Sequence, residues 1–288
     1  MGKENQTTFS YNFNQQVANI MQVFGGQVLS GYRNYSAYQT PLLTGNSQTW
    51  DAGFDFKKTL WALFANIDLS YSRNKNYFMD SSVISKNTTT VIAVPIDNYS
   101  DNISLGGNAS KYFYSLNTTL AIGANFTRSG AQQMQNAQLF STHNNVMKYS
   151  ASITPTIFDW LDIKFSGSYT KNTSSSNAEG YIKQFNSQWN ENSSIIFYPL
   201  KNLIIDIDNQ YLKSIHQGEN LSSAFLMNGY IRYNFQNPKL HKLQLQLSCN
   251  NLKNVRNYEI INVSSNITSV NRYLLQPRML LLSAHFDL

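Results

Sequence analysis

The sequence predicts an all-β protein, a transmembrane antiparallel up-and-down β-barrel of about twelve strands. Three observations lead to that expectation. The first is strict alternation in its last stretch, where Leu280, Leu282, Ala284, Phe286 and Leu288 fall on one face and Met279, Leu281, Ser283, His285 and Asp287 on the other. A period of two with unlike faces marks a strand between two unlike surroundings. The second is composition: charged residues make up 13% of the chain, about half the usual share, and aromatics 14%. Disordered chains have fewer aromatics and more charge. The combination suits a sheet with lipid on one side and water on the other. Its mean hydropathy of −0.36 fits, because only every second strand residue needs to be apolar. The third is an asymmetry of connections, short at one end of the strands and long and polar at the other.

Taken in order, Tyr11 and Phe13 alternate with Asn12 and Asn14 in a first strand, followed by a long irregular segment. Trp50, Ala52, Phe54 and Phe56 then alternate with Asp51, Gly53, Asp55 and Lys57, and a turn at residues 57–58 leads into Trp61, Leu63, Ala65, Ile67, Leu69 and Tyr71. Ile103, Leu105, Gly107 and Ala109 descend to a turn at 111–112, and Leu116 to Phe126 return. Met147, Tyr149, Ala151 and Ile153 reach a turn at 158–160, and Leu161, Ile163, Phe165, Gly167 and Tyr169 ascend against Asp162, Lys164, Ser166 and Ser168. The strand ending IIFYPLKN turns at 199–202, followed by Leu203, Ile205 and Ile207. Phe225 to Tyr233 lead to a turn at 236–239, and Leu243, Leu245, Leu247 and Cys249 alternate with Gln244, Gln246, Ser248 and Asn250 before the terminal strand. Residues 15–47, 72–98, 171–180 and 251–271 read as long loops.

Tyr112, Phe113, Tyr114, Phe158, Trp160, Phe197, Tyr198 and Phe235 cluster beside the short turns, as an aromatic girdle at a membrane interface would. The alternative is a soluble sandwich with aromatics filling its ends. Leu280, Leu282, Ala284, Phe286 and Leu288 are the candidate membrane-assembly residues of the last strand. No window approaches the roughly 20 apolar residues of a membrane helix. The opening MGKENQTTFS lacks a signal-peptide core, so the sequence is expected to begin within a mature protein or to lack an upstream portion.

Sites of chemistry are scarce, and no catalytic, cofactor or metal residues are assigned. His143, His216, His241 and His285 are scattered without metal-ligand spacing. Asp206 and Asp208 share a strand face, where they are expected to keep an inner wall wet rather than perform acid–base work. The lone Cys249 excludes an intrachain disulfide and reads as packing. No nucleophile elbow or phosphate loop occurs. The net charge of +6 comes from dispersed residues with no aromatic-laced stripe, which argues against nucleic acid and suits lipid headgroups or a lumen.

Short segments resemble a known family. CNNLKN at residues 249–254, containing Asn251, Leu252 and Asn254, is followed by Tyr273, by Pro277 and Arg278, and then by LLLSAHFDL. That order resembles the C-terminus of Bacteroidetes-type TonB-dependent outer-membrane receptors. The LLTGN at residues 42–46 resembles the Gly-Asn segment before a descending strand in the same barrels. Lys253 departs from the family's usual Phe, and the chain ends on Leu288 where an aromatic is usual, with Phe286 two residues earlier. The family's barrel has about 22 strands. The resemblance therefore implies that residues 1–288 are one outer-membrane barrel domain, its C-terminal part or a shortened relative; no plug-like segment or TonB box is read in the sequence. It implies a Gram-negative outer-membrane location and TonB-energised uptake of a small-molecule, glycan or peptide substrate bound by the long loops. Implied partners are outer-membrane lipid, a plug domain, the TonB system and a surface lipoprotein. A stand-alone pore, an adhesin-like barrel without transport, and an outer-membrane lipase or protease remain alternatives.

Overall fold

A computed structural model describes residues 5–17, 26–38, 44–156, 158–235, 243–263 and 268–286. Among them there is no α-helix. The strands are β1 (Asn5–Val17), β2 (Gly26–Gly31), β3 (Asn34–Tyr38), β4 (Thr44–Lys58), β5 (Leu63–Asn76), β6 (Met79–Ile84), β7 (Thr89–Val94), β8 (Asn98–Phe113) and β9 (Thr118–Gln135). They continue with β10 (Gln138–Pro155), β11 (Leu161–Ser176), β12 (Gln184–Leu200), β13 (Leu203–His216), β14 (Glu219–Asn234), β15 (Gln244–Asn250), β16 (Asn257–Val263), β17 (Thr268–Leu274) and β18 (Met279–His285).

Sixteen strands form one sheet. Its main path is antiparallel and up-and-down, in the order β1-β4-β5-β8-β9-β10-β11-β12-β13-β14-β15-β18. Short turns join some neighbours, while β1–β4, β5–β8 and β15–β18 pair across long connections. Thr59–Trp61 and Tyr114–Leu116 form single 3-10 turns, closed by Ala62 and Asn117 in the left-handed region. The turns expected at 57–58 and 111–112 are therefore displaced by a few residues, because β4 and β8 continue pairing through Lys58 and Phe113. The turn expected at 236–239 lies outside the described residues.

The strand count departs from the expectation of about twelve, and the reason is local. The hairpins β2–β3, β6–β7 and β16–β17 arise from segments read as loops. β7 (TTVIAV) and β16 (NYEIINV) carry β-branched runs that favour strands, but their polar flanks give them the look of loops. β3–β7 and β6–β9 are parallel, so the long connections form a platform joined to the end of β9. The loop expected at 171–180 is shorter, because β11 continues to Ser176. Among the described residues of the main path β1 pairs only with β4, and β18 only with β15, so the described sheet is not closed upon itself.

The register sorts the two faces. Cross-strand partners share a face. Leu161, Phe197, Ile205, Ile231, Leu247 and Leu282 form one continuous row, and Ile163, Ile195, Ile207, Gly229, Cys249 and Leu280 the next. On the opposite face Asp55, Asn66, Asn108, Gly123, Ser150, Ser168 and Asn190 form a row. Among the described residues only Met79, Phe140, Ala224 and Tyr258 are buried apolar side chains. Ile67, Ile122 and Leu282 are 55%, 56% and 76% exposed. The chain thus has an apolar outer wall in place of a conventional core.

Candidate functional site

The polar face is concave. Side chains and backbone of eight neighbouring strands, β1 to β12 along the main path, line a single cavity of ≈ 770 Å³. Eight flat strands would span about 34 Å, so the sheet curls with its polar face inside. Asn66, Asn108, Lys148, Ser150, Ser168 and Asn190 line this wall. Asn66 Nδ2 donates to Asp68 at 2.6 Å, and Ser70 Oγ to Asp51 at 2.7 Å. Glycines make room for these groups. A Cβ on Gly123 would lie 2.5 Å from Asn108 Oδ1 and 2.8 Å from Ser150 Oγ. The wall therefore presents amides and hydroxyls together with Asp55 and Lys148.

Asp206 and Asp208 lie on this polar face, two residues apart as expected. Asp206 is buried, with one carboxylate oxygen unpartnered, while Asp208 lines a second recess of ≈ 340 Å³ with Lys164 and Asn228. Cys249 is half-buried in the apolar row. His143 lies on the apolar-side parity near the long connections, His216 is on the polar face, and His285 ends β18. His241 lies outside the described residues. Among the described residues no three of His, Cys, Asp and Glu converge as a metal site.

One connection folds inward. β16 lies against β12, β13 and β14, and Glu259 N donates to Ser222 Oγ at 3.2 Å. Ser222 pairs with Ser214 on the polar face, so the β16–β17 ribbon crosses the concave side. Ser214, Ala224 and Tyr258 are buried in this region. Burial pushes the Tyr258 hydroxyl above the ordinary phenol range. Arg272 and Glu259 pair across the ribbon itself.

The residues that carry the family resemblance sit at the root of this ribbon. Asn251 is 8% exposed, with φ of 54°. Its Nδ2 donates to Val255 O and Gln276 O, both at 2.7 Å, and its Oδ1 accepts from Val255 N at 2.9 Å. Its own N–H donates to Asn228 Oδ1 at 2.9 Å. Leu252 N donates to Met227 O at 2.7 Å. Asn254, with φ of 55°, accepts from Arg278 N at 3.1 Å. Pro277 therefore stands between two captured backbone groups, and Tyr273 pairs with Tyr258 in the ribbon. Asn tolerates the left-handed region and bonds locally, which is why this residue type recurs at the clamp. Gly45, in the other resembling segment, faces the β5 backbone, where an added Cβ would meet Lys75 O at 2.9 Å. Gly45→Ala should destabilise the fold by about 1–3 kcal/mol through overpacking against immobile backbone; equilibrium denaturation of the folded chain measures it.

The aromatics named from sequence gather in part. Phe158 stacks on Trp160 at 4.9 Å, Trp160 meets Phe197 edge-on at 5.6 Å, Tyr112 meets Tyr114 at 5.1 Å and Phe235 meets Tyr233 at 4.8 Å. Phe113 lies under Lys111 on the apolar face. Tyr112 follows the polar-face parity, and Tyr198 donates to Asp162 Oδ2 on that face at 3.1 Å. A second aromatic set, near the long connections, was not read from sequence. Tyr11, Trp50 and Tyr71 form a cross-strand ladder at 5.3 and 5.5 Å, and Tyr169 meets Trp189 at 5.6 Å. Their positions within single strands are unremarkable, and only the register aligns them. In the last strand, Leu280, Leu282 and Ala284 share the apolar face, Phe286 follows the strand exposed, and Leu288 lies outside the described residues.

No helix among the described residues is long and apolar enough to cross a membrane. Compared with protein-family models, with curated proteins and with solved structures, the chain matches none.

Proposed function

We propose that the chain forms the wall of a transmembrane β-barrel in a Gram-negative outer membrane and serves substrate uptake energised by the TonB system. The observation that carries the membrane reading is the sorting of the sheet: a face of mainly apolar rows, interrupted at Glu191 and Lys213, outside and a polar concave face inside. In water such an exposed apolar surface would drive association; in lipid it is the required exterior. Ten of the twelve main-path strands run 13–18 residues, longer than the roughly 9–11 that cross a bilayer. The extra length would lift the platform and the long connections off the membrane.

The uptake reading rests on the resemblance at Asn251, Leu252, Asn254, Tyr273, Pro277 and Arg278. A polar wall of amides and hydroxyls suits a plug and a hydrated substrate in turn. Transport of this kind needs binding and gating, and no bond need be made or broken. A stand-alone pore is the second reading. With twelve strands alternating in direction, β1 and β18 run antiparallel and have the polarity to pair and close a barrel.

The test is detection of the native protein with an antibody to its C-terminal region in an outer-membrane fraction. A band well above 32.8 kDa, with energy-dependent uptake, supports the receptor. A band at that mass that shifts on heating, with steady conductance in planar bilayers, supports the pore and removes TonB from the account. A protein found only in soluble fractions overturns both.

A further inference from the structure

The apolar face contains a recess that its side chains leave unfilled. Between Ile67 on β5 and Tyr149 on β10 the wall drops to Gly107 and Ala124, which are cross-strand partners. Leu105, Phe126 and Met147 close its upper end, and its volume is ≈ 450 Å³. Toward the short turns the same face continues through Ala65 and Ala109 to the row Lys58, Leu63, Lys111. Both lysines partner Leu63, so their backbones stand two strand spacings apart, about 10 Å. Lysine side chains can converge on one group across that gap. Lys58 Nζ lies 4.6 Å from the Trp61 ring centre and Lys111 Nζ 5.1 Å from that of Phe113.

The charge pattern distinguishes this end of the face from the other. Near the long connections Arg73 and Lys75 are compensated, by Asp101 at 3.7 Å and Asp97 at 3.0 Å. Among the described residues no carboxylate forms an ion pair with Lys58 or Lys111. Their neighbours on the same face are Phe56, Ala65, Ala109, Ile122 and Leu120. Two uncompensated cations, backed by aromatic rings, thus stand at the rim of an apolar wall, in line with a recess in it.

We propose that this is a binding site for one anionic phospholipid, with its phosphate between Lys58 and Lys111 and an acyl chain running over Ala109 into the recess at Gly107 and Ala124. The inference rests on the membrane reading above and names a specific ligand for it. From Lys111 to Gly107 the strand rises about 13 Å, well within the length of an acyl chain. Single-sign charge selects the lipid over a second copy of the chain, which would have to bring a carboxylate to the lysines as well as an apolar ridge to the recess.

The experiment uses the full chain reconstituted in phosphatidylcholine vesicles containing a minor fraction of phosphatidylglycerol, extracted and weighed by native mass spectrometry. One phosphatidylglycerol should remain per chain. Lys58→Gln with Lys111→Gln should weaken its retention by about thirtyfold, the factor that two lysines near an anionic surface supply together. Gly107→Leu should displace the lipid with both lysines in place, and a heat-dependent mobility shift should show each variant folded. Equal retention of phosphatidylcholine and phosphatidylglycerol, retention unchanged in the double variant, or a lipid-free dimer cross-linked through the recess would overturn the site. A wild-type chain that stays out of vesicles would overturn the membrane reading and this site with it.

Discussion

Ile207→Arg should abolish or severely weaken folding into lipid vesicles, whereas Asn192→Arg should leave it nearly unchanged. Ile207 lies in the apolar row between Ile195 and Gly229, so in the proposed membrane setting an arginine there would face hydrocarbon. At the midplane of a barrel that costs about 2–4 kcal/mol, a large share of the ~5–15 kcal/mol that holds a typical domain folded. Asn192 pairs with Ser166 and Gln210 on the polar face and lines the main cavity. An arginine there keeps its hydration. The measurement is the folded fraction in vesicles across a urea series. In a soluble protein the outcome would reverse, because a charge on an exposed apolar row would improve solubility. Equal effects of the two substitutions would remove the distinction between the faces on which the membrane reading depends.

Asn251→Ala should release the root of the β16–β17 ribbon and destabilise the fold by about 2–4 kcal/mol. The substitution deletes three side-chain hydrogen bonds, to the N–H and carbonyl of Val255 and the carbonyl of Gln276, at about 0.5–1.5 kcal/mol each. Ala must also keep the φ of 54° without Asn's local bonding. Asn251→Asp keeps the acceptor for Val255 N but turns a carboxylate oxygen toward two carbonyls, so at neutral pH it should destabilise at least as much as Ala. Hydrogen exchange separates the local from the global effect. The amide of Glu259, which donates to Ser222 Oγ, should lose protection first. If exchange at β16 is unchanged while global stability falls, Asn251 supports the β14–β15 wall rather than the ribbon.

Much of the wall was legible in the sequence. Alternation at Leu243 to Asn250 and at Leu161 to Ser168 identifies strands and assigns faces without reference to any other segment, because side-chain direction in a strand is a local property. The hairpins β2–β3, β6–β7 and β16–β17 have the look of loops in the sequence for the complementary reason. Their stability comes from backbone pairing with partners that local composition does not reveal. The aromatic ladder Tyr11, Trp50 and Tyr71 is not legible in the sequence because it joins three strands, each contributing one ring. Tyr198 was placed with the girdle by its neighbourhood in sequence, yet its hydroxyl reaches Asp162 on the polar face. The motif at Asn251 and Asn254 was found by resemblance, while its physical role as a clamp depends on Gln276 and Arg278, more than twenty residues away.

The sequence by itself determined that this is an all-β chain with one apolar and one polar face per strand, since a two-residue period and low charge are written into neighbouring positions. Only the tertiary structure decided which rows join into a continuous wall, that the polar face is the concave one, and that a ribbon from the last long connection lies across it. It also brought Lys58 and Lys111 to either side of Leu63. Those outcomes depend on register and curvature, which arise when strands distant in the chain pair and twist together.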